Sequence, residues 1–98
     1  MPDQELPPSI FLMLERNVGK RIRVIVEPSY GFEGTLLAAA QELSAIWLSE
    51  AEAIVLRSTL AQPIPQIANR EERGDIYLNL KGIQRIEVLP AAPSRSSR

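Results

Sequence analysis

Val18-Gly19-Lys20-Arg21-Ile22-Arg23-Val24-Ile25-Val26-Glu27-Pro28-Ser29-Tyr30-Gly31-Phe32-Glu33-Gly34-Thr35-Leu36 is the stretch on which the fold turns. From Lys20 to Glu27 it is rich in β-branched residues. Ile22, Val24 and Val26 alternate with Arg21, Arg23 and Ile25, the period of a half-buried strand. Pro28-Ser29-Tyr30-Gly31 is a cluster of turn-forming residues, and a second strand follows from Phe32 to about Ala40. Gly34 lies inside that strand. Glycine weakens a strand unless the chain must bend there or another backbone must come close, as in a small barrel.

Upstream, the period is helical. Ser9 is suited to cap a helix N-terminus, because its hydroxyl accepts from a free backbone N–H. Phe11, Leu14 and Val18 then share one face, and Gly19 suits the C-terminal end. Residues 1–8 hold three prolines and two acids and read as a flexible arm. Downstream, Gln41 and Glu42 interrupt the pattern. A third strand is predicted from Leu43 to Ala53 around Ile46-Trp47-Leu48, and Ile54-Val55-Leu56 either continues it or begins the next. Ser58 to Arg73 turns polar and proline-bearing and reads as a variable loop or hairpin tip. Asp75 to Leu80 is a fourth strand and Ile83 to Leu89 a fifth. Residues 90–98 are expected to be a disordered tail. One short helix followed by five short, strongly bent antiparallel strands makes a mainly β small barrel. The pattern alone leaves open which small barrel it is.

The composition sets limits on function. The 98 residues make one domain, read as 9–89, and at this size association with further copies would help stability. Eleven basic against twelve acidic residues leave a formal charge of −1, which argues against a surface basic throughout and allows a local patch. There is neither cysteine nor histidine, so the usual transition-metal ligand sets cannot form within the chain. No cofactor is expected. The serines have no histidine to activate them, and no phosphate-binding glycine loop is present, so the chain does not read as an enzyme. No apolar run reaches the length of a membrane span. Met1-Pro2-Asp3-Gln4-Glu5 is acidic where a secretory signal is basic, and a cytoplasmic location is the expectation.

The order of the motifs carries further information. Val18 to Val26 followed by Tyr30 to Leu36, with Phe32-Glu33-Gly34-Thr35-Leu36 at its centre, resembles the first Sm motif. Leu43 to Leu48 followed by Ser49-Glu50-Ala51-Glu52 is similar to that motif's second half. Gly74 to Gly82, with Ile86 and Val88, resembles the second Sm motif, and Lys81-Gly82 stands where arginine-glycine is typical. The resemblance spans residues 9–89. It implies the Sm-like fold and a homo-oligomeric ring of six or seven subunits in which the fourth strand of one copy pairs with the fifth of the next. Ile76, Leu78, Ile86 and Val88 would then lie at the contact between copies.

The resemblance also implies a site for single-stranded RNA. In Sm-like proteins the loop between the second and third strands brings an aspartate, a stacking residue and an asparagine. The loop after the fourth strand brings a cation followed by glycine. Here Ala40, Glu42 and Ser44 fall at the first three places, with Ala45 competing for the third, and Lys81 and Gly82 at the last two. These departures imply an altered base preference. The alternative is an Sm-fold module that assembles with protein partners without touching RNA. Arg21 and Arg23 read as solvated charges or a basic patch. Trp47 and Tyr77 read as core or contact residues, or as base-stacking groups.

Overall fold

The structure is a computed structural model that describes residues 8–90, in the order α1 (Pro8–Arg16), β1 (Arg21–Glu27), β2 (Tyr30–Ala40), β3 (Ala45–Arg57), β4 (Gln66–Asn79) and β5 (Arg85–Val88). The expected arm, up to residue 7, and the expected tail, from residue 91, lie outside the described residues. The five strands form one antiparallel sheet in the order β4-β3-β2-β1-β5.

α1 begins at Pro8, so Ser9 lies inside the first turn rather than capping it. Proline is well placed in a first turn, where the backbone N–H it lacks has no intrahelical partner. The helix ends at Arg16, and Asn17 Nδ2 donates to the Met13 carbonyl at 2.7 Å. Phe11 and Leu14 are buried as expected, whereas Val18 lies beyond the helix and is exposed. Phe11 and Leu14 join Ile22, Val24, Leu36, Ile46, Leu48, Ala51 and Leu80 in the principal core.

Two interruptions bend the sheet. Gly34 sits between the β2–β3 pairs Glu33↔Glu52 and Thr35↔Ser49, where β3 contributes two residues, Glu50 and Ala51, against one. A Cβ on Gly34 would stand 3.2 Å from both the Ala51 Cα and the Ser49 carbonyl oxygen. Close backbone approach therefore explains this glycine, as its position in the sequence suggested. Glu50, the extra residue, has φ +50°, and its carbonyl accepts from Arg21 Nη1 at 3.0 Å.

The same bulge exchanges the two faces of β3. Before it, Ile46 and Leu48 point into the principal core. After it, Ala51 takes the inward place, and Ile54 and Leu56 form a second cluster with Ile25 and, at its margin, Ile67. Ile25, predicted on the outer face with Arg21 and Arg23, is consequently only 1% exposed. Ile25, Gly31 and Ile54 form one cross-strand row, which is why that face closes over an apolar patch.

Several predicted boundaries move: β2 begins at Tyr30 rather than Phe32, and β5 spans Arg85–Val88, shorter at both ends than expected. Leu43 is an exposed turn residue and β3 begins at Ala45. Ile54-Val55-Leu56 belongs to β3. Residues 66–73, expected to be loop, are the first half of β4, paired to β3 from Gln66↔Arg57 to Glu72↔Glu52. Most of that half is solvent-exposed, so the apolar alternation that marks a half-buried strand is missing. Only the connection between Arg57 and Gln66 is loop. It is tightened by Thr59 and Gln62, whose backbone N–H groups each donate to the other's carbonyl, at 2.8 and 3.2 Å.

Candidate nucleic-acid interface

β2 and β3 close on each other at Ala40↔Ala45 through a four-residue turn, Gln41–Ser44. The Ser44 N–H donates to the Gln41 carbonyl at 3.0 Å, and Ser44 adopts φ +49°. This places the Ser44 carbonyl 2.7 Å from the Leu80 N–H, which donates to it. Leu80 is buried in the core, and its successors Lys81 and Gly82 begin the connection to β5. Asn79 Oδ1 accepts from the Lys81 N–H at 2.9 Å. One backbone hydrogen bond thus ties the β2–β3 turn to the start of the β4–β5 connection.

Between them opens a polar recess of about 610 Å³ whose lining includes Ala40, Glu42, Ser44 and Lys81. Four of the five residues named from the sequence therefore share one cavity, and Gly82 is the immediate neighbour of Lys81. Sequence reasoning missed four further contributors, Phe11 and Glu15 from α1, Ala39 from β2 and Gln41 from the turn. Phe11 was read only as a core residue. Nothing local in the sequence brings α1 to the β2–β3 turn. The charged groups of the recess are two carboxylates, Glu15 and Glu42, and one ammonium, Lys81.

Arg23 is held in ion pairs rather than in a free basic patch, whereas Arg21 donates to the Glu50 carbonyl. Arg23 Nε donates to Glu33 Oε2 at 2.7 Å and Arg23 Nη1 to Glu87 Oε1 at 3.3 Å. Arg70 Nη1 donates to Glu33 Oε1 at 2.8 Å and to Glu52 Oε1 at 2.7 Å. The Glu33 carboxylate, in a residue 4% exposed, therefore bridges a guanidinium from β1 and another from β4. Its burial is the largest single influence and favours the neutral acid. The hydrogen bonds from Arg70 and Arg23, with their charges, together outweigh it and hold the carboxyl below its ordinary value. A signal for this network was present: once the turn after Glu27 is placed, Arg23 falls directly opposite Glu33.

The outer strands present the residues expected at a contact between copies. Ile76, Leu78 and Ile86 are partly buried against the principal core, and Val88 is exposed. β4 pairs only with β3, and β5 only with β1. Beside β5 an apolar cleft of about 330 Å³ is lined by residues that include Ile10, Met13, Ile83, Ile86 and Val88. Trp47 and Tyr77 form an edge-on aromatic pair across β3 and β4, with centroids 5.1 Å apart and Tyr77 exposed.

No family model and no curated protein matches the sequence. Solved structures do. A heptameric archaeal Sm protein superposes with a TM-score of 0.60 at 22% identity, over 81% of this chain and 98% of that one. An Sm protein of Pyrococcus abyssii in complex with a uridine heptamer gives 0.57 at 21% identity, over 87% and 100% of the two chains. The fold is the Sm fold. A chain of the NatC complex bound to CoA is also similar, with a TM-score of 0.53 at 16% identity over 85% of this chain and 84% of that one. The helix, the five bent strands and their order are those of an Sm domain, as the two motifs implied.

Proposed function

We propose that this chain assembles with copies of itself into a ring of six or seven subunits and binds single-stranded RNA in the recess between the Gln41–Ser44 turn and Lys81-Gly82. The observation that carries the reading is the Ser44–Leu80 hydrogen bond, which holds the two loops on one cavity. Lys81 supplies the attraction for phosphate or base, and Gly82, at φ +83°, lets the chain turn directly after it. Ring assembly would use the outer edges of β4 and β5. Such edges present unpaired N–H and C=O groups that another strand can satisfy, and a head-to-tail contact closes when the rotation per subunit suits. Ile76 and Leu78 of one copy would then meet Ile86 and Val88 of the next. Similarity to a heptameric Sm protein and to one bound to a uridine heptamer supports both parts. The role is binding rather than catalysis.

A second reading has its own support. Glu15 and Glu42 outnumber Lys81 in the recess, and a chain of the NatC complex shares the fold. On that reading the domain is an assembly module for protein partners and leaves RNA alone.

Native mass spectrometry of the purified protein, with and without short oligonucleotides at low salt, separates the two. A ring that gains the mass of an oligonucleotide, and loses affinity about five- to tenfold on Lys81→Ala, is expected for a phosphate-contacting lysine repeated in each subunit. A ring indifferent to RNA points to the second reading. A monomer at micromolar concentration refutes ring assembly.

A further inference from the structure

We infer that the recess selects guanine over uracil, an inference that rests on the RNA-binding reading and names the base. Its side chains comprise hydrogen-bond acceptors set near one cation. Glu15 and Glu42 offer four carboxylate oxygens. Ser44 and Gln41 can each donate or accept, and Lys81 only donates. Among the described residues no ion pair engages Glu15, Glu42 or Lys81. Arg21, Arg23 and Arg70, by contrast, are occupied by Glu33, Glu52, Glu87 and the Glu50 carbonyl. The carboxylates of the recess are therefore free to accept from a ligand.

The Watson–Crick edges of the bases differ in what they ask of such a site. Uracil presents acceptor, donor, acceptor: O4, N3–H and O2. A carboxylate facing that edge meets one donor flanked by two oxygens that repel it. Guanine presents O6, N1–H and the N2 amine, and the two adjacent donors match the two oxygens of one carboxylate in a bidentate pair. Its O6 and N7 then face an ammonium, the pairing that lysine makes with guanine. Adenine and cytosine each have one exocyclic amine beside a ring acceptor and satisfy half of this arrangement. Ala40 presents only a methyl group, which leaves room for the larger purine. Guanine alone engages both oxygens of one carboxylate through its Watson–Crick edge while its O6 and N7 face the ammonium.

The test is fluorescence anisotropy of the whole chain with labelled single-stranded RNA heptamers at about 50 mM salt. The probes are U7 and its derivatives carrying G, A or C at the central position. One guanine in a uridine background avoids the self-association of oligo-G. The expected result is binding about tenfold tighter for the G-containing heptamer than for U7, with A and C between them, within the discrimination that one bidentate base contact supplies. Glu15→Gln/Glu42→Gln keeps the size of both side chains at exposed positions, so the fold is retained, and the preference should fall to twofold or less. U7 bound as tightly as the G-containing heptamer overturns the inference and leaves the RNA-binding reading intact. A preference for guanine that survives in the double variant also overturns it. No binding of any heptamer by the unmodified protein overturns the RNA-binding reading and the inference with it.

Discussion

Replacing Glu33 by glutamine tests whether the buried carboxylate ties β1 to β4. Glu33 accepts two charge-assisted hydrogen bonds, at 2.7 Å from Arg23 and 2.8 Å from Arg70. Glutamine keeps one acceptor oxygen and turns an N–H₂ toward the other guanidinium. One charge-assisted bond is lost and the other weakened. At about 1.5–3 kcal/mol for each such bond, the expected loss is about 2–3 kcal/mol. It stays below the roughly 3–5 kcal/mol of a fully buried broken pair for a reason visible in the structure. The Arg23 and Arg70 side chains are 26% and 43% exposed and retain Glu87 and Glu52 as partners. For a domain of this size the change lowers Tm by about 10–20 °C. Urea and thermal unfolding, compared at one protomer concentration because assembly shifts apparent stability, measure it.

The pH dependence fixes the sign. The folded-state pKa of Glu33 is lowered from its ordinary value of 4.5. Its contribution is therefore fully present above that value and is lost as pH falls through the lower, folded-state one. The gap between native protein and variant should be constant from neutrality to about pH 5.5 and shrink as the solution is acidified below 4.5. A variant within about 0.5 kcal/mol of the native protein at neutral pH would refute the assignment, since that is the size of an ordinary surface change. So would a gap that persists undiminished at the acid end.

Two backbone positions give opposite expectations. A Cβ at Gly31 would stand 2.3 Å from the Val24 carbonyl oxygen, a backbone clash that no rotamer relieves. Gly31→Ala should cost at least about 3 kcal/mol, beyond the usual range for overpacking, and appear as loss of soluble, cooperatively melting protein. Glu50 holds φ +50°, a conformation that is strained for a residue with a Cβ and free for glycine. Glu50→Gly should raise the urea midpoint by about 0.5–1 kcal/mol equivalent without changing the slope, because the carbonyl that accepts from Arg21 is retained. A loss of stability there would mean that the Glu50 side chain supports the bulge.

The sequence by itself determined the elements whose causes are local. The Pro28-Ser29 half of the predicted turn cluster ends β1, although Tyr30 and Gly31 already belong to β2; the Ile22/Val24 alternation sets the buried face of β1, and Gly34 marks the bend. Turn chemistry and side-chain period act over a few residues, so they can be read without knowing what packs on them. The positions of Ala40, Glu42, Ser44 and Lys81 followed from motif order, and the tertiary structure brings them to one recess. The tertiary structure alone decided what depends on distant partners. Residues 66–73 are strand because β3 is long enough to pair with them, although their own polarity resembles a loop. Ile25 is buried because the bulge at Glu50 turns Ile54 and Leu56 to the face that Ile25 occupies. Glu15 and Phe11 join the recess because the core draws α1 against the sheet. In each case hydrogen bonding or apolar burial against a segment far along the chain outweighs the local preference, and no window of the sequence contains both partners.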